Sequence, residues 1–420
     1  MSHTHVIGAG LAGLAAALSL SAAGRQVTLY EAGPAAGGRC RSYFDKELGI
    51  RIDNGNHLLL SGNKDAFAYI AEIGSVEGMG GPQEPVFPFM DIKSGDRWDV
   101  RPNLGRIPWW IFSKSRRVPD TRLSDYVEMR RIAKIKDDSI VSDSMRRGKL
   151  YWRLVEPLAV AALNTHPQAG LTRLLGAVMK ETLLRGGRAC IPRFPKEGLS
   201  EALIDPAIAK LGERGVRIHY NSRVNTIRMT ENRVTSIWTA GGRIELGATD
   251  SVVLAVPPWV ASDVLPFLTT PDKFEAILNV HFLHEHDPAG PLGRSGFLGI
   301  LSGTAEWVFA KKGHISVTVS AANELMDDSA DELAETVWRD VRDALGLPAA
   351  MDRQIPPFRV IKEKRATFAA TAAQEARRPP AKTALANLAL AGDWTQTGLP
   401  ATIEGAIRSG RTAAALLLAL

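Results

Sequence analysis

Three glycines and an acid near the start of the chain carry the clearest spacing for chemistry. Gly8, Gly10 and Gly13 form the pattern G-x-G-x-x-G, and Glu31 follows the next apolar run. Each has a physical task. Gly8 permits a tight turn, Gly10 lets a pyrophosphate approach the backbone, and Gly13 lets a helix pack closely on a strand. Leu11 and Ala12 lie in the first turn of that helix, where unpaired N–H groups and the positive dipole end favour an anion. Glu31, with Ala32 after it, can accept hydrogen bonds from ribose hydroxyls. These residues need two strands and a helix to position them. Residues 3–8 read as a short buried strand, the Ala/Leu/Ser-rich run to Ala23 as a helix closed by Gly24, and residues 27–30 as the second strand. The glycine motif alone is weak, but strand, glycines, helix, strand and acid in this order point to a dinucleotide site rather than a structural glycine turn.

Further polar groups fall at intervals. Gly37-Gly38-Arg39 follows the acid: the glycine pair allows close backbone approach, and Arg39 can pair with a phosphate. In residues 50–63 a short strand ends in the turn Asn54-Gly55-Asn56-His57, and a helix begins near Asn63. His57 is titratable, and local packing is its plainer reading. Between Arg106 and Arg117, Trp109, Trp110, Ile111 and Phe112 form an apolar block with cations on both sides. That pattern suits a membrane interface, or equally a core segment with a solvated basic end. Arg130, Arg131, Lys134 and Lys136 read as a solvated face. Glu156 to Thr165 is apolar enough to wall a greasy cavity or to be a buried helix, with Glu156 an N-terminal acid before Pro157 at the first position. Ser200 reads as the N-cap of a helix to Arg214, and 216–227 as paired short strands. Residues 233–238 and 243–247 read as a hairpin and 251–258 as a buried strand. Residues 315–320 alternate as a half-buried strand, and 331–345 form an amphipathic helix. At the end, residues 387–393 read as a strand closing on Gly392 and Asp393, and Pro400 suits the first turn of a helix to the C-terminus.

At 420 residues two domains are expected, and 45% apolar with 23% charged residues is a globular balance. Two cysteines, Cys40 and Cys190, make neither a disulfide framework nor a metal-ligand set, which suits a reducing cytosol. The first strand starts too early for a signal peptide, and no uncharged apolar run is long enough to span a membrane. A net charge of +6 is compatible with an anionic surface or a diphosphate and does not by itself argue for nucleic acid.

The order acid, G-G-R, Gly392-Asp393 resembles the flavin-dependent amine oxidase and carotenoid desaturase superfamily. Blocks 38–45, 52–63, 156–165 and 392–395 are similar to one branch of it, the hydroxysqualene dehydroxylases of bacterial hopanoid synthesis, over essentially the whole chain. The resemblance implies an α/β fold: a Rossmann-like FAD-binding domain of the amine oxidase type with an α+β substrate domain. It would divide the chain into 1–75, 190–258 and 385–420 for FAD and 76–189 and 259–384 for substrate, the stretch 76–190 being mostly helical. It implies non-covalent FAD. Gly8, Gly10, Leu11, Ala12, Gly13, Gly38, Arg39, Gly392 and Asp393 would lie along the pyrophosphate and ribitol, and Glu31 and Ala32 at the ribose. Val224 would lie at the adenine, Asn54, Gly55, Asn56 and His57 at the isoalloxazine, and Ala401, Thr402 and Ile403 at its pyrimidine end. It implies reduction of a C30 isoprenoid alcohol with loss of water, His57 and then Glu156 being the candidate proton donors. A functional link to presqualene diphosphate and hydroxysqualene synthases follows, as does a cytoplasmic protein on the inner face of the membrane. A carotenoid desaturase, an amine oxidase and a non-enzymatic lipid carrier on the same fold are the alternatives.

Overall fold

The computed structural model describes residues 2–348 and 354–420. A five-stranded parallel sheet lies at one end, in the order Arg217–His219, Gln26–Tyr30, His3–Ile7, Ser251–Leu254, Leu388–Leu390. Its strands are short, and the three inner ones are almost wholly buried, as strands covered on both faces are. The helix Leu11–Ala22 packs against it through Leu14, Leu18 and Leu20. The C-terminal helix Ile403–Leu418 then lies on that helix almost backbone to backbone. A Cβ on Gly410 would sit 2.1 Å from the Ala12 carbonyl oxygen. Alanine and glycine at this crossing are therefore a packing requirement, which explains the small-residue composition of the first helix.

A seven-stranded sheet lies apart from the first, in the order Phe358–Phe368, Phe274–Phe282, His314–Val319, Trp307–Lys311, Phe297–Leu301, Phe87–Asp91, Arg97–Val100. One face, with Leu278, Val280, Val308 and Val317, packs on the amphipathic helix Ala330–Leu345. That helix is closed at its start by a Ser329–Glu332 capping box. The other face carries Phe87, Phe89, Phe297, Trp307 and Phe309 and packs on helical residues between Trp110 and Met179.

Four expectations are corrected. Residues 87–91 and 97–100, placed by sequence in a mostly helical stretch, are strands, because their apolar residues complete the aromatic face. The strand at 314–319 is buried on both faces rather than half-buried, because the helix at 330–345 covers Ile315, Val317 and Val319 while Asn56 lies against Ser316 and Thr318 on the other face. Residues 217–219 join the parallel sheet, while 226–229 pair with Val234–Thr239 in a separate antiparallel sheet. Ser200 caps no helix: it lies inside a widened helical turn, Ser200–Ile204, and its hydroxyl oxygen accepts from the Ser42 N–H at 2.8 Å. The widening falls where Pro206 cannot donate to the preceding turn.

Candidate active site

The parallel sheet puts the ends of four strands side by side, so Gly8, Glu31, Ala255 and Gly392 meet at its carboxyl edge. Such an edge, where connections leave in opposite directions, is where open α/β sheets bind ligands. Gly8 has φ +103°, and a Cβ there would lie 2.5 Å from the Ala255 oxygen; one on Gly13 would lie 1.9 Å from the Gly8 oxygen. Gly10 is the opposite case, with nothing within 4 Å of its Cβ position. Two glycines are compressed and the middle one is open, as an approaching diphosphate requires. No side chain caps the following helix, so its first N–H groups remain available. The second glycine pair folds over the first. The Gly37 N–H donates to the Ala9 oxygen at 2.8 Å, and Gly38 faces the Gly10 Cα.

Glu31 accepts from the Ala9 N–H at 2.9 Å and the Gly33 N–H at 2.8 Å, one on each carboxylate oxygen. A carboxylate has about four acceptor positions, so two remain free for further donors. Ala32 beside it is exposed. Val224 is buried, two residues beyond Ser222, whose N–H donates to the Glu31 backbone oxygen. Arg39 and Asp393 are brought together across the chain, Nη2 to Oδ1 at 2.6 Å, so they pair with each other. Arg39 also donates to the Ala366 oxygen at 2.7 Å. Arg378, which sequence reading passed over, is wholly buried and donates to the backbone oxygens of Asp393, Thr395 and Leu399. It holds the loop that carries Asp393. Trp394 is core: its indole N–H donates to the Val256 oxygen at 2.9 Å. The last helix starts later than Pro400, because Thr402 is extended and its hydroxyl oxygen accepts the Gly405 N–H at 3.0 Å; Ala401 precedes that cap and Ile403 begins the helix.

The turn Asn54–His57 is held by the loop at Gly37–Arg39 and by the seven-stranded sheet. Asn54 donates to the Arg39 oxygen at 2.6 Å. Asn56 donates to the hydroxyls of Ser316 and Thr318, at 2.7 and 3.0 Å. A Cβ on Gly55 would sit 3.3 Å from the Asn279 amide. Behind the turn, Asp53 and Lys311 form an ion pair at 3.0 Å with only 4% of each side chain exposed. Burial alone would raise the Asp53 carboxyl, but the Lys311 ammonium, the Leu199 N–H and the Ser42 hydroxyl hold it below its usual range. Burial, with Lys311 and Arg39 adding to it against Asp53, pushes the His57 imidazole down to about 4. His57 is therefore neutral near pH 7. The buried Asn56 Oδ1 has no partner in the protein. An open glycine, an uncapped helix end, a carboxylate with spare lone pairs and this orphaned oxygen together fit a flavin dinucleotide.

A cavity of about 790 Å³ opens between the aromatic face of the large sheet and residues 147–168. Phe89, Trp152, Val160, Gly299 and Trp307 make up its apolar side, and Asp91, Arg147, Lys149, Arg153, Glu156 and Glu306 line it too. Its wall touches the cofactor turn through one strand pair: Trp307 lies opposite Thr318, whose hydroxyl holds Asn56. Glu156 begins the helix Glu156–Leu163, with Pro157 in its first turn, and the widened turn Tyr151–Val155 runs directly into it. Burial raises its carboxyl, with Arg147 and His166 pulling it back. Glu306 stands outside every sequence motif, and an acid directly before a strand-leading tryptophan was the only signal for it. The apolar block at 106–117 divides. Trp110 is 4% exposed, edge-on to Tyr126 at 5.3 Å, so it belongs to the core rather than to a surface. Trp109 and Phe112 are 64% and 61% exposed, with Ile107 beside them.

This geometry defines a class. The chain belongs to the flavin containing amine oxidoreductase family, whose model matches residues 11–285 and 307–418. It is a flavin oxidoreductase. It is 45% identical to the hydroxysqualene dehydroxylase of Sinorhizobium fredii over 99% of this chain and 98% of that one. It is 43% identical to the enzyme of that name from Zymomonas mobilis, over 100% and 99%. A solved oxidoreductase from Methanosarcina mazei shares the fold with a TM-score of 0.72 at 17% identity, covering 98% and 99% of the two chains.

Proposed function

We propose that this protein reduces hydroxysqualene to squalene with loss of water, using non-covalent FAD. The carrying observation is 43–45% identity to hydroxysqualene dehydroxylases along the whole chain. A cavity with an aromatic side, one strand pair away from the Asn54–His57 turn, supports it. Bound reduced FAD supplies the hydride. The Gly8–Gly13 turn and helix end receive the pyrophosphate, with Gly38, Arg39, Gly392 and Asp393 around it. Glu31 holds the ribose and Val224 lies toward the adenine. The Asn54–His57 turn and the Ala401–Ile403 helix start flank the ring. Both cysteines are buried and free, and burial raises both thiols, Cys190 to about 12, which favours a non-covalent cofactor. The residues at 1–75, 190–258 and 385–420 serve the cofactor, and the large sheet with residues 101–189 serves the substrate. Neutral His57 acts as a hydrogen-bonding group at the turn, and protonation of the leaving hydroxyl falls to a carboxyl lining the cavity, where both Glu156 and Glu306 stand. The aromatic side chains of the wall stabilise the delocalised cation that an allylic alcohol forms on losing its oxygen.

No helix among the described residues is long and apolar enough to cross a membrane. Trp109, Phe112 and Ile107, with Arg106 and Lys114 exposed among them, form the contact to an anionic inner leaflet from which a C30 substrate arrives. Enzymes making hydroxysqualene from presqualene diphosphate act before it. The test is anaerobic incubation of the photoreduced protein with hydroxysqualene: squalene must appear as the flavin is oxidised, and unchanged hydroxysqualene refutes the reading.

A further inference from the structure

An allylic alcohol loses its oxygen most readily where an acid can protonate it and aromatic rings can stabilise the cation left behind. The cavity has one such junction. Glu306 immediately precedes Trp307, whose ring lies edge-on to Phe89 at 5.6 Å, and all three residues line the cavity. One carboxyl oxygen of Glu306 is fixed by the Ser320 N–H at 2.7 Å, and the Ser320 hydroxyl lies beside it. Ser320 is the only donor to this carboxyl among the described residues, and Glu306 forms no ion pair there. We propose that Glu306 binds the substrate hydroxyl and protonates it.

The proposal rests on the reading of this protein as a hydroxysqualene reductase. The Glu306 proton goes to the hydroxyl oxygen, the C–O bond breaks toward oxygen, and water leaves. The electron pair that fills the cation comes as hydride from the reduced flavin, and the Glu306 carboxylate regains its proton from solvent at the cavity mouth. Trp307 and Phe89 present ring faces and edges to the cation.

The other charged groups of the cavity stand on different elements. Arg147, Lys149, Arg153, Glu156 and His166 lie on the helical side, and Asp91 ends a strand. Arg153 is spent on Asp96 at 2.5 Å and on the Trp98 ring. Behind the Thr304 and Ala305 N–H groups, Asp340 accepts from both. None of these groups shifts Glu306. Burial alone, against the Ser320 bonds, raises its carboxyl to about 7, so a large fraction carries a proton at neutral pH. Glu156 differs, since Arg147 and His166 favour its charged form.

The experiment uses the full-length flavin-loaded protein and Glu306→Gln, which keeps shape and hydrogen bonding but cannot give up a proton. Binding is read on the oxidised protein, where no turnover occurs, from tryptophan fluorescence with hydroxysqualene and with squalene. Wild type should bind the alcohol more tightly than the hydrocarbon, and Glu306→Gln should keep that preference. Its turnover when photoreduced should fall by about 10²–10⁴-fold. The fall of kcat/KM above about pH 7 in wild type should vanish in the variant. Glu306→Ala should lose the preference for the alcohol. Glu306→Gln with wild-type turnover, or Glu306→Ala with an intact preference, overturns the proposal. A wild-type protein that binds the alcohol without converting it instead sinks the reductase reading, and the binding comparison then still decides whether Glu306 receives the hydroxyl.

Discussion

Lys311→Met removes one half of the most buried ion pair at the site and leaves Asp53 charged where 4% of it meets solvent. The Leu199 N–H at 2.8 Å and the Ser42 hydroxyl at 2.7 Å remain, but neither neutralises it. Breaking a buried pair from one side costs about 3–5 kcal/mol. For 420 residues, an unfolding entropy of about 2.1 cal/mol/K per residue turns that into a fall in Tm of about 3–6 °C. The pH dependence follows from the direction of the Asp53 shift. In wild type its folded pKa lies below the unfolded value, so its contribution is present above the unfolded pKa and lost as pH falls through the folded one. Without Lys311, burial dominates and the folded pKa moves above the unfolded value. The carboxylate then destabilises the fold at neutral pH and is relieved by protonation on acidification. The deficit between variant and wild type should therefore shrink from pH 7 toward pH 4. Circular-dichroism melts of the flavin-loaded protein across that range measure it. Asp53→Asn/Lys311→Met should recover most of the loss. A single variant melting within about 1 °C of wild type at pH 7, or a deficit that grows on acidification, would refute the reasoning.

Glu31→Ala should lose charged hydrogen bonds to the ribose worth about 1.5–3 kcal/mol, weakening FAD by roughly 10–150-fold in an equilibrium titration. Gly13→Ala puts a Cβ 1.9 Å from the Gly8 oxygen, so the glycine turn must open; the purified variant should carry little flavin by absorbance. Trp109→Ser/Phe112→Ser should abolish flotation with anionic liposomes while leaving the melting temperature unchanged, because both side chains are mostly exposed. Trp110→Ala should do the reverse, keeping flotation and losing about 3–5 kcal/mol of stability from the core.

The cofactor half of the site was legible in the sequence because its residues are consecutive and its glycines answer to local rules. A positive φ at Gly8, close packing at Gly13 and an acid at the end of the next strand are all short-range facts, and the structure places them at one sheet edge. The amphipathic period of 330–345 declared its helix for the same reason. What sequence could not decide depends on what lies opposite. Trp109 and Trp110 are neighbours of one kind, and only the position of Tyr126 makes one of them core and leaves the other on the surface. Arg39 and Asp393 are far apart in the chain, and their pairing exists only because the first and last strands share a sheet. His57 reads as an ordinary titrating imidazole until burial beside Lys311 and Arg39 holds it neutral. Glu306 stands in no motif of the sequence, and only the folded chain sets it beside Ser320 and in the cavity wall. Local backbone chemistry is written along the chain, whereas burial and charge environment are sums over residues that meet only when the chain has folded.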